Sequence, residues 1–221
     1  MTTLRVNEIF YSIQGESTYA GRPCGFVRLS GCNLRCEYCD TRYAYNEGEH
    51  MEIHAIVDRV RELLRADCSL VEITGGEPLI QGDTPKLVKR LLDLGYTVLM
   101  ETNGSLDIGT VDPRCIKIVD FKCPSSGESG SNDLENISRL HRHDEVKCVI
   151  ADRNDYVFAR EIAEMIRLRQ GASRGCTVNF SPAFGRLDPK DLAEWMLADR
   201  LQVRLNLQLH KFVWSPDQRG V

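Results

Sequence analysis

The sequence predicts an α/β fold, a parallel sheet covered by helices, built as one domain over residues 1–221. Three observations carry this. Short runs rich in β-branched residues alternate with longer amphipathic stretches, the order that a parallel sheet with crossover helices requires. Two loops of unusual composition each follow such a run, which puts both at the C-terminal ends of parallel strands, the face where such folds do their chemistry. A length of 221 residues, 42% hydrophobic and 27% charged, suits a single soluble domain with a sizeable core.

The elements follow in chain order. Gln14 and Glu16 read as polar loop residues ahead of the first expected strand, Phe26–Leu29, in which Arg28 reads as a strand residue with a partner. Residues 52–65 form a helix with Ile53, Ile56, Val57, Val60, Leu63 and Leu64 on its apolar side. Leu70–Thr74 is a β-branched strand that runs into Gly75-Gly76, where two glycines let backbone approach a ligand without an intervening Cβ. An ordinary β-to-α turn is the plain alternative there. Asp83-Thr84-Pro85 opens a helix with a capping side chain and then proline in the first turn. Leu87, Val88, Leu91, Leu92 and Leu94 make its apolar face and Gly95 ends it. Strands at Thr97–Glu101 and Ile116–Lys122 precede a Ser- and Gly-rich loop, 124–132, too short to act as a linker between domains. Strand Glu145–Ile150, helix 154–169, strand Thr177–Ser181, helix 188–200 and strand Val203–Leu209 complete the alternation. No repeat, low-complexity segment or linker interrupts it.

Composition narrows the function. A net charge of −4 argues against a broad nucleic-acid surface. No apolar stretch is long enough to span a membrane, and Met1–Arg5 carries no apolar signal region. Nine cysteines without a secretory signal point to a reducing, cytoplasmic setting. Cys24, Cys68, Cys115, Cys123, Cys148 and Cys176 are scattered and read mostly as buried free thiols.

The other three cysteines stand together. Cys32, Cys36 and Cys39 are spaced C-x3-C-x2-C within residues 30–41. Three thiolates on one short loop can hold three irons of a cubane cluster and leave the fourth open to a small molecule. Cys36 and Cys39 alone also suit a zinc knuckle or a redox dithiol. A redox dithiol has no need of Cys32. Structural zinc usually takes two such pairs, but Cys24 as a distant fourth ligand keeps zinc open.

The C-x3-C-x2-C loop, with Tyr38 just before its last cysteine, resembles the radical S-adenosylmethionine (SAM) superfamily, and Thr74-Gly75-Gly76-Glu77-Pro78 resembles that superfamily's SAM amino-group contact. The resemblance implies a partial (β/α) barrel, a [4Fe-4S] cluster on Cys32, Cys36 and Cys39, and SAM chelated to the open iron, where electron transfer yields a 5′-deoxyadenosyl radical. Further segments bring the chain nearer to one branch. Asn7–Ser17, Phe26–Leu29, Cys39-Asp40-Thr41, Glu101-Thr102-Asn103-Gly104, Lys122–Gly127 and Gln208-Leu209-His210-Lys211 together resemble the 7-carboxy-7-deazaguanine synthases. These are lyases that convert 6-carboxy-5,6,7,8-tetrahydropterin into 7-carboxy-7-deazaguanine with loss of ammonia, on the route to queuosine in tRNA and related deazapurines.

That resemblance implies roles for residues. Segment 7–28 binds substrate: Glu16 accepts from the pterin N–H groups, main-chain groups of Gln14 and Gly15 complete that edge, and Arg28 holds the substrate carboxylate with a planar fork. Thr74 belongs with them. Thr41 ligates Mg2+, with Asp40 as the competing candidate and a plain turn residue as the reading by type alone. SAM is expected against Tyr38, Gly76, Glu77, Ser125 and Ser126, with a further contact at Ser181, although Ser181-Pro182-Ala183-Phe184 departs from the more polar run of many relatives. His210 either lines the substrate pocket or is a satisfied strand-end histidine. A structural ion pair is the plain reading of Arg28. Implied partners are a flavodoxin- or ferredoxin-type reductant and a second copy of the chain as a homodimer. Two other functions fit some of the pattern. A glycyl-radical activating enzyme shares the cluster loop and the Gly-Gly-Glu-Pro turn but acts on a protein. A non-enzymatic zinc module would hold no iron.

Overall fold

Nine strands form one open sheet in the computed structural model, which describes residues 2–64, 68–171 and 175–221. They are β1 (Thr3–Ile13), β2 (Pro23–Leu29), β3 (Glu49–Glu52), β4 (Leu70–Gly75), β5 (Thr97–Thr102), β6 (Ile116–Asp120), β7 (Glu145–Ile150), β8 (Thr177–Pro182) and β9 (Arg204–Leu205). Their order is β3-β1-β2-β4-β5-β6-β7-β8-β9. From β2 onward each neighbouring pair is parallel, while β1 runs antiparallel to both β2 and β3. The helices are α1 (Ile53–Leu63), α2 (Thr84–Asp93), α3 (Asn136–Arg139), α4 (Arg153–Gln170), α5 (Pro189–Ala198) and α6 (His210–Val213). The sheet does not close, so the expected partial barrel is the architecture. No helix among the described residues is long and apolar enough to cross a membrane.

The parallel strands bury both faces, and parity sorts their side chains. One set, including Val27, Leu29, Val71, Ile73, Val98 and Met100, packs against Ile56, Val57 and Val60 of α1 and Leu87, Val88 and Leu91 of α2. On the opposite, concave face Cys24, Phe26, Leu70, Leu99, Ile116 and Ile118 form an apolar plug with Phe10 and Tyr19. The next positions of the same parity, toward the C-terminal strand ends, are Arg28, Glu72, Glu101 and Asp120, and Lys147 on β7 joins them at the cavity wall. A polar layer thus rests on an apolar one.

Five expectations need correction. The sequence offers no strand before Phe26, yet β1 spans 11 residues. A bulge between Val6 and Glu8 shifts its register, so buried Leu4 and Val6 fall out of phase with the residues beyond, and the alternation is masked. The sheet is therefore mixed at its N-terminal edge rather than wholly parallel. The last strand is two residues, not Val203–Leu209, because the backbone N–H of Leu209 leaves the sheet to donate to Gly15 O at 2.8 Å. Residue 83 sits at the start of α2 in helical conformation, but the Asp83 carboxylate caps no N–H; it pairs with Lys86 Nζ at 2.7 Å. Strand β6 stops at Asp120, where the Lys122 N–H turns to the Asn132 side chain at 2.8 Å. The expected helix end at Arg65 lies outside the described residues.

Candidate active site

The C-terminal ends of the parallel strands enclose a cavity of about 260 Å³, walled at one end by the cysteine loop and at the other by the loop after β1. The cysteine loop leaves β2 and is strapped down at several points. Gly31 N donates to Ala44 O (2.8 Å), Glu77 N to Gly31 O (2.8 Å) and Glu37 N to Ser126 O (3.0 Å). Gly76 must be glycine here, since a Cβ would collide with the Gly31 carbonyl and come within 2.7 Å of Cys32 Cβ. Cys32, Cys36 and Cys39 all line the cavity. Cys32 Sγ accepts from Leu34 N at 3.4 Å and from the Asn103 amide at 3.8 Å. Burial pushes the Cys32 and Cys36 thiols up, so a bound cation rather than the protein would make them thiolates. Three half-exposed thiols on one concave wall, with N–H donors to sulfur, fit a cluster. Cys24 does not fit as a fourth ligand: it is fully buried in the apolar plug, at the far end of β2. Five strand residues separate it from the loop, about 16 Å at strand rise. Of the six other cysteines, Cys68 alone is not buried.

At the other end Glu16 is gripped by Lys147 Nζ (3.0 Å) and Gln208 Nε2 (3.0 Å). Burial opposes its ionisation, yet Lys147 and the Gln208 bond hold its carboxyl below the ordinary range. Lys147 also contacts Glu101 at 2.5 Å. Burial works against the Lys147 ammonium, but Glu101, Glu16 and Asp120 keep it well above the usual lysine range. Glu101 is pushed up to about 7 by burial despite Lys147. Glu72 is pushed up to about 8 by burial and by Glu101 beside it. The Gln14 amide donates to Glu72 and accepts from Glu16 N at 2.9 Å. Glu145, buried under this loop, accepts from Thr18 N (3.0 Å), Thr18 Oγ1 (2.5 Å) and the Asn179 amide (2.7 Å), and so anchors the turn that presents Glu16. His210 packs its ring on Gly15, where any Cβ would overlap it; burial lowers its basicity. Arg28 pairs through Nε with Glu8 (2.7 Å), which also accepts from Tyr43 OH (3.1 Å), so the structural ion pair exists on a residue that still lines the cavity.

Between the two ends, Thr41 donates to Asp40 Oδ1 (2.9 Å), and Asp40 Oδ2 meets Lys211 Nζ at 2.5 Å. Burial is outweighed by Lys211, which holds Asp40 far below the usual carboxylate range. The Thr41 oxygen keeps its lone pairs while its proton is spent on Asp40, an arrangement that suits a hydroxyl ligand to a hard cation. Asp120 pairs with Lys122 at 2.7 Å, and its Oδ1 is buried without a partner among the described residues.

The cavity wall brings together Gln14, Gly15, Glu16, Arg28, Cys32, Cys36, Tyr38, Cys39, Thr41, Thr74, Gly76 and His210. Four expected SAM contacts stand off it. The Glu77 carboxylate is turned inward, accepting from Leu79 N (2.9 Å), Thr102 Oγ1 (2.9 Å) and Asn103 N (2.6 Å). Ser125 binds Asp152 (3.1 Å), Ser126 is buried on Cys123 O (2.6 Å), and Ser181 accepts from Asn206 (2.9 Å). In their place the wall holds Asp120, Lys122, Val149, Ala183 and Phe184. Sequence reasoning gave no role to Glu72, Glu101, Asp120, Lys122 or Lys147. The available signal was a charge at inward parity in an otherwise apolar run, as in Leu70-Val71-Glu72-Ile73 and Val146-Lys147-Cys148-Val149.

Comparison with known proteins adds to this geometry. The Radical SAM superfamily profile matches residues 26–119. The 7-carboxy-7-deazaguanine synthase of Koribacter versatilis is 47% identical, over 99% of this chain and 100% of its own. That of Chlorobaculum tepidum is 48% identical, over 99% and 97%. Among solved structures, QueE from Escherichia coli superposes with a TM-score of 0.75 at 23% identity, covering 94% of this chain and 95% of that one. TYW1 with a lysine-pyruvate adduct gives 0.58 at 12% identity, covering 81% and 74%. At those identities the two structures speak for the fold alone.

Proposed function

The chain belongs to the 7-carboxy-7-deazaguanine synthase family of radical SAM enzymes, and from that membership we propose that it contracts 6-carboxy-5,6,7,8-tetrahydropterin to 7-carboxy-7-deazaguanine, releasing ammonia, as a Mg2+-dependent lyase of queuosine and deazapurine biosynthesis. One observation carries the reading: three cluster-type thiols and a polar floor suited to a pterin edge line the same cavity. Cys32, Cys36 and Cys39 would hold a [4Fe-4S] cluster, which with SAM supplies one-electron chemistry when bound. Tyr38 and Gly76 stand where SAM would lie. Tyr38 is fixed by donating to Val149 O at 3.2 Å and by Arg186 over its ring.

At the floor, Glu16 Oε1 has one donor, Gln208, while Oε2 has Lys147 and a longer contact from the Asn206 amide at 3.5 Å, so Oε1 can accept a ring N–H directly and Oε2 can accept one in place of Asn206, without losing Lys147. Leaving those N–H groups unpaired in a closed pocket would cost about 1–3 kcal/mol each, which selects a matching ring. Thr74, Gly15 and His210 line the same cavity beside Glu16. The reductant of such an enzyme is a flavodoxin- or ferredoxin-type protein, its setting is the cytoplasm, and a homodimer is its assembly. Anaerobic incubation of reconstituted protein with the carboxytetrahydropterin, SAM, Mg2+ and reductant tests the reading by product mass; 5′-deoxyadenosine with no deazaguanine would refute the substrate.

Two substitutions probe the assigned contacts. Arg28→Lys keeps a charge near Glu8 but replaces a planar fork with a point charge. The dissociation constant for the pterin rises roughly five- to a hundred-fold, matching about 1–3 kcal/mol, while SAM binding holds. The converse pattern in equilibrium binding would assign Arg28 to SAM. Thr41→Ala lowers Mg2+ affinity and impairs turnover without harming the cluster or SAM cleavage in the absence of substrate, and high Mg2+ partly restores turnover. Asp40→Asn is the matched control. If it alone loses the Mg2+ response in a turnover titration, the metal belongs to Asp40.

A further inference from the structure

Glu72 sits on the cavity floor, 6% exposed, on the same face of β4 as Leu70 below it and Thr74 above it. Nothing in the cluster loop, the Mg2+ contact or the Glu16 edge uses it. Its hydrogen-bond partner is the Gln14 amide, which donates to Oε2. The charged groups that face it are Glu16 from the loop after β1, Arg28 on β2, Glu101 on β5 and Lys147 on β7. The cations among them are committed elsewhere. Lys147 bonds Glu16 and Glu101, and Arg28 bonds Glu8. Lys122, nearby, bonds Asp120. Three carboxylates thus share one ammonium in a buried floor. Two uncompensated anions there would be costly, and a proton on the carboxylate farthest from a bonded cation removes one of them. That carboxylate is Glu72.

The Gln14 amide settles which oxygen carries the proton. Its Nε2 donates to Oε2 while its Oε1 accepts from Glu16 N at 2.9 Å, so the amide cannot flip without breaking both bonds. Oε2 is held as the acceptor, and Oε1, with no partner among the described residues, becomes the hydroxyl. A 2-amino-4-oxopyrimidine ring presents two N–H donors flanked on either side by an acceptor, the ring carbonyl on one side and a ring nitrogen on the other. When Glu16 takes the donors, a neighbouring protein donor meets an acceptor on whichever side it stands. We propose that Glu72 is a specificity-determining residue that works as the neutral acid, donating from the cavity floor to a ring acceptor of the bound 2-amino-4-oxopyrimidine. This deepens the pterin reading and rests on it.

Burial and Glu101 keep the Glu72 proton in place up to about pH 8. The binding-competent form therefore predominates below that pH and is lost above it. For the anaerobic holoenzyme, affinity for 6-carboxy-5,6,7,8-tetrahydropterin falls roughly tenfold between about pH 7 and about pH 9. Glu72→Gln, whose amide mimics the neutral acid, binds within about threefold of the unaltered protein at pH 7 and loses that fall. Glu72→Ala binds about tenfold more weakly at pH 7. Titration of the ligand itself moves all variants alike, so the difference between variants is the measure. A parallel fall in the unaltered protein and Glu72→Gln overturns the proposal, as does Glu72→Gln binding as weakly as Glu72→Ala. If the unaltered protein binds SAM but no pterin at any pH, the substrate reading fails instead. The protonation is then read directly from ¹³C-carboxyl glutamate resonances. A signal absent from Glu72→Gln that titrates near pH 8 upholds the neutral acid, and one that titrates in the ordinary glutamate range overturns it.

Discussion

Replacing any one of Cys32, Cys36 or Cys39 by alanine abolishes the iron–sulfur cluster and, with it, all reductive cleavage of SAM. Each thiolate would hold one iron, and no other cysteine stands ready to take its place. Cys24 lies at the far end of β2, and Cys123 and Cys148 are fully buried in the core beside α4. Alanine at Cys24, Cys123 or Cys148 therefore keeps the iron and costs only packing, roughly 1 kcal/mol for so small a deletion. Iron and sulfide analysis after anaerobic reconstitution separates the two groups. Loss of iron on removing Cys24, with the three loop cysteines intact, would sink the three-thiolate assignment and revive zinc.

Lys147→Met has the second largest effect, on stability and on substrate binding together. Among the described residues Lys147 is the only cation bonded to Glu16 and Glu101, and all three line the cavity. Removing it strands two carboxylates, a change worth about 3–5 kcal/mol for a broken buried pair. In a domain of this size that lowers the melting temperature by about 6–20 °C. The pH dependence has a definite sign. Glu72 and Glu101 already titrate above their unfolded values, at about 8 and about 7, so the folded state holds more protons than the unfolded one across that range. Their contribution to stability is present at low pH and lost as pH rises through those values. Without Lys147, Glu16 joins them instead of titrating low. The melting temperature of Lys147→Met consequently drops more steeply than that of the unaltered protein from mildly acidic to mildly alkaline pH. Parallel melting curves across that range would mean that Lys147 does not neutralise the floor.

What was legible in the sequence was what is local. The cysteine loop and Gly75-Gly76 each declare themselves within a few residues, because a ligand set or a close backbone approach needs particular residue types at fixed spacing. The parallel strands from β4 to β8 were legible for the same reason, since each is a short apolar run. The floor was not. Glu16, Glu72, Glu101 and Lys147 lie on separate segments, and only the sheet order makes them neighbours. Strand β1 was hidden by its bulge, which breaks the period that pattern reading depends on. The direction of the Glu77 carboxylate was not legible because a residue type within a motif does not reveal it: one carboxylate oxygen caps the next turn while both bind the Thr102 hydroxyl. The segment after β9 has strand-like composition, yet its backbone is claimed by Gly15 and its side chains by Glu16.

That last contact has a kinetic meaning. Gln208 meets Glu16 across 192 residues of chain, among the longest-range contacts in the molecule. Closing so long a loop carries an entropic charge of roughly 4–5 kcal/mol if nothing else has yet formed, and almost none once β1 to β8 are already paired. That end of the cavity is therefore among the last regions of the fold to assemble, after the sheet has brought the two segments near. By the same reasoning it can open first: residues 207–213 can lift away while every parallel ladder, including the Asn206 N–H bond to Phe180 O, stays intact. A scaffold held by the sheet where irons would be bound and reversible where a substrate would enter would separate, in time, the making of the metal centre from the traffic of small molecules past it.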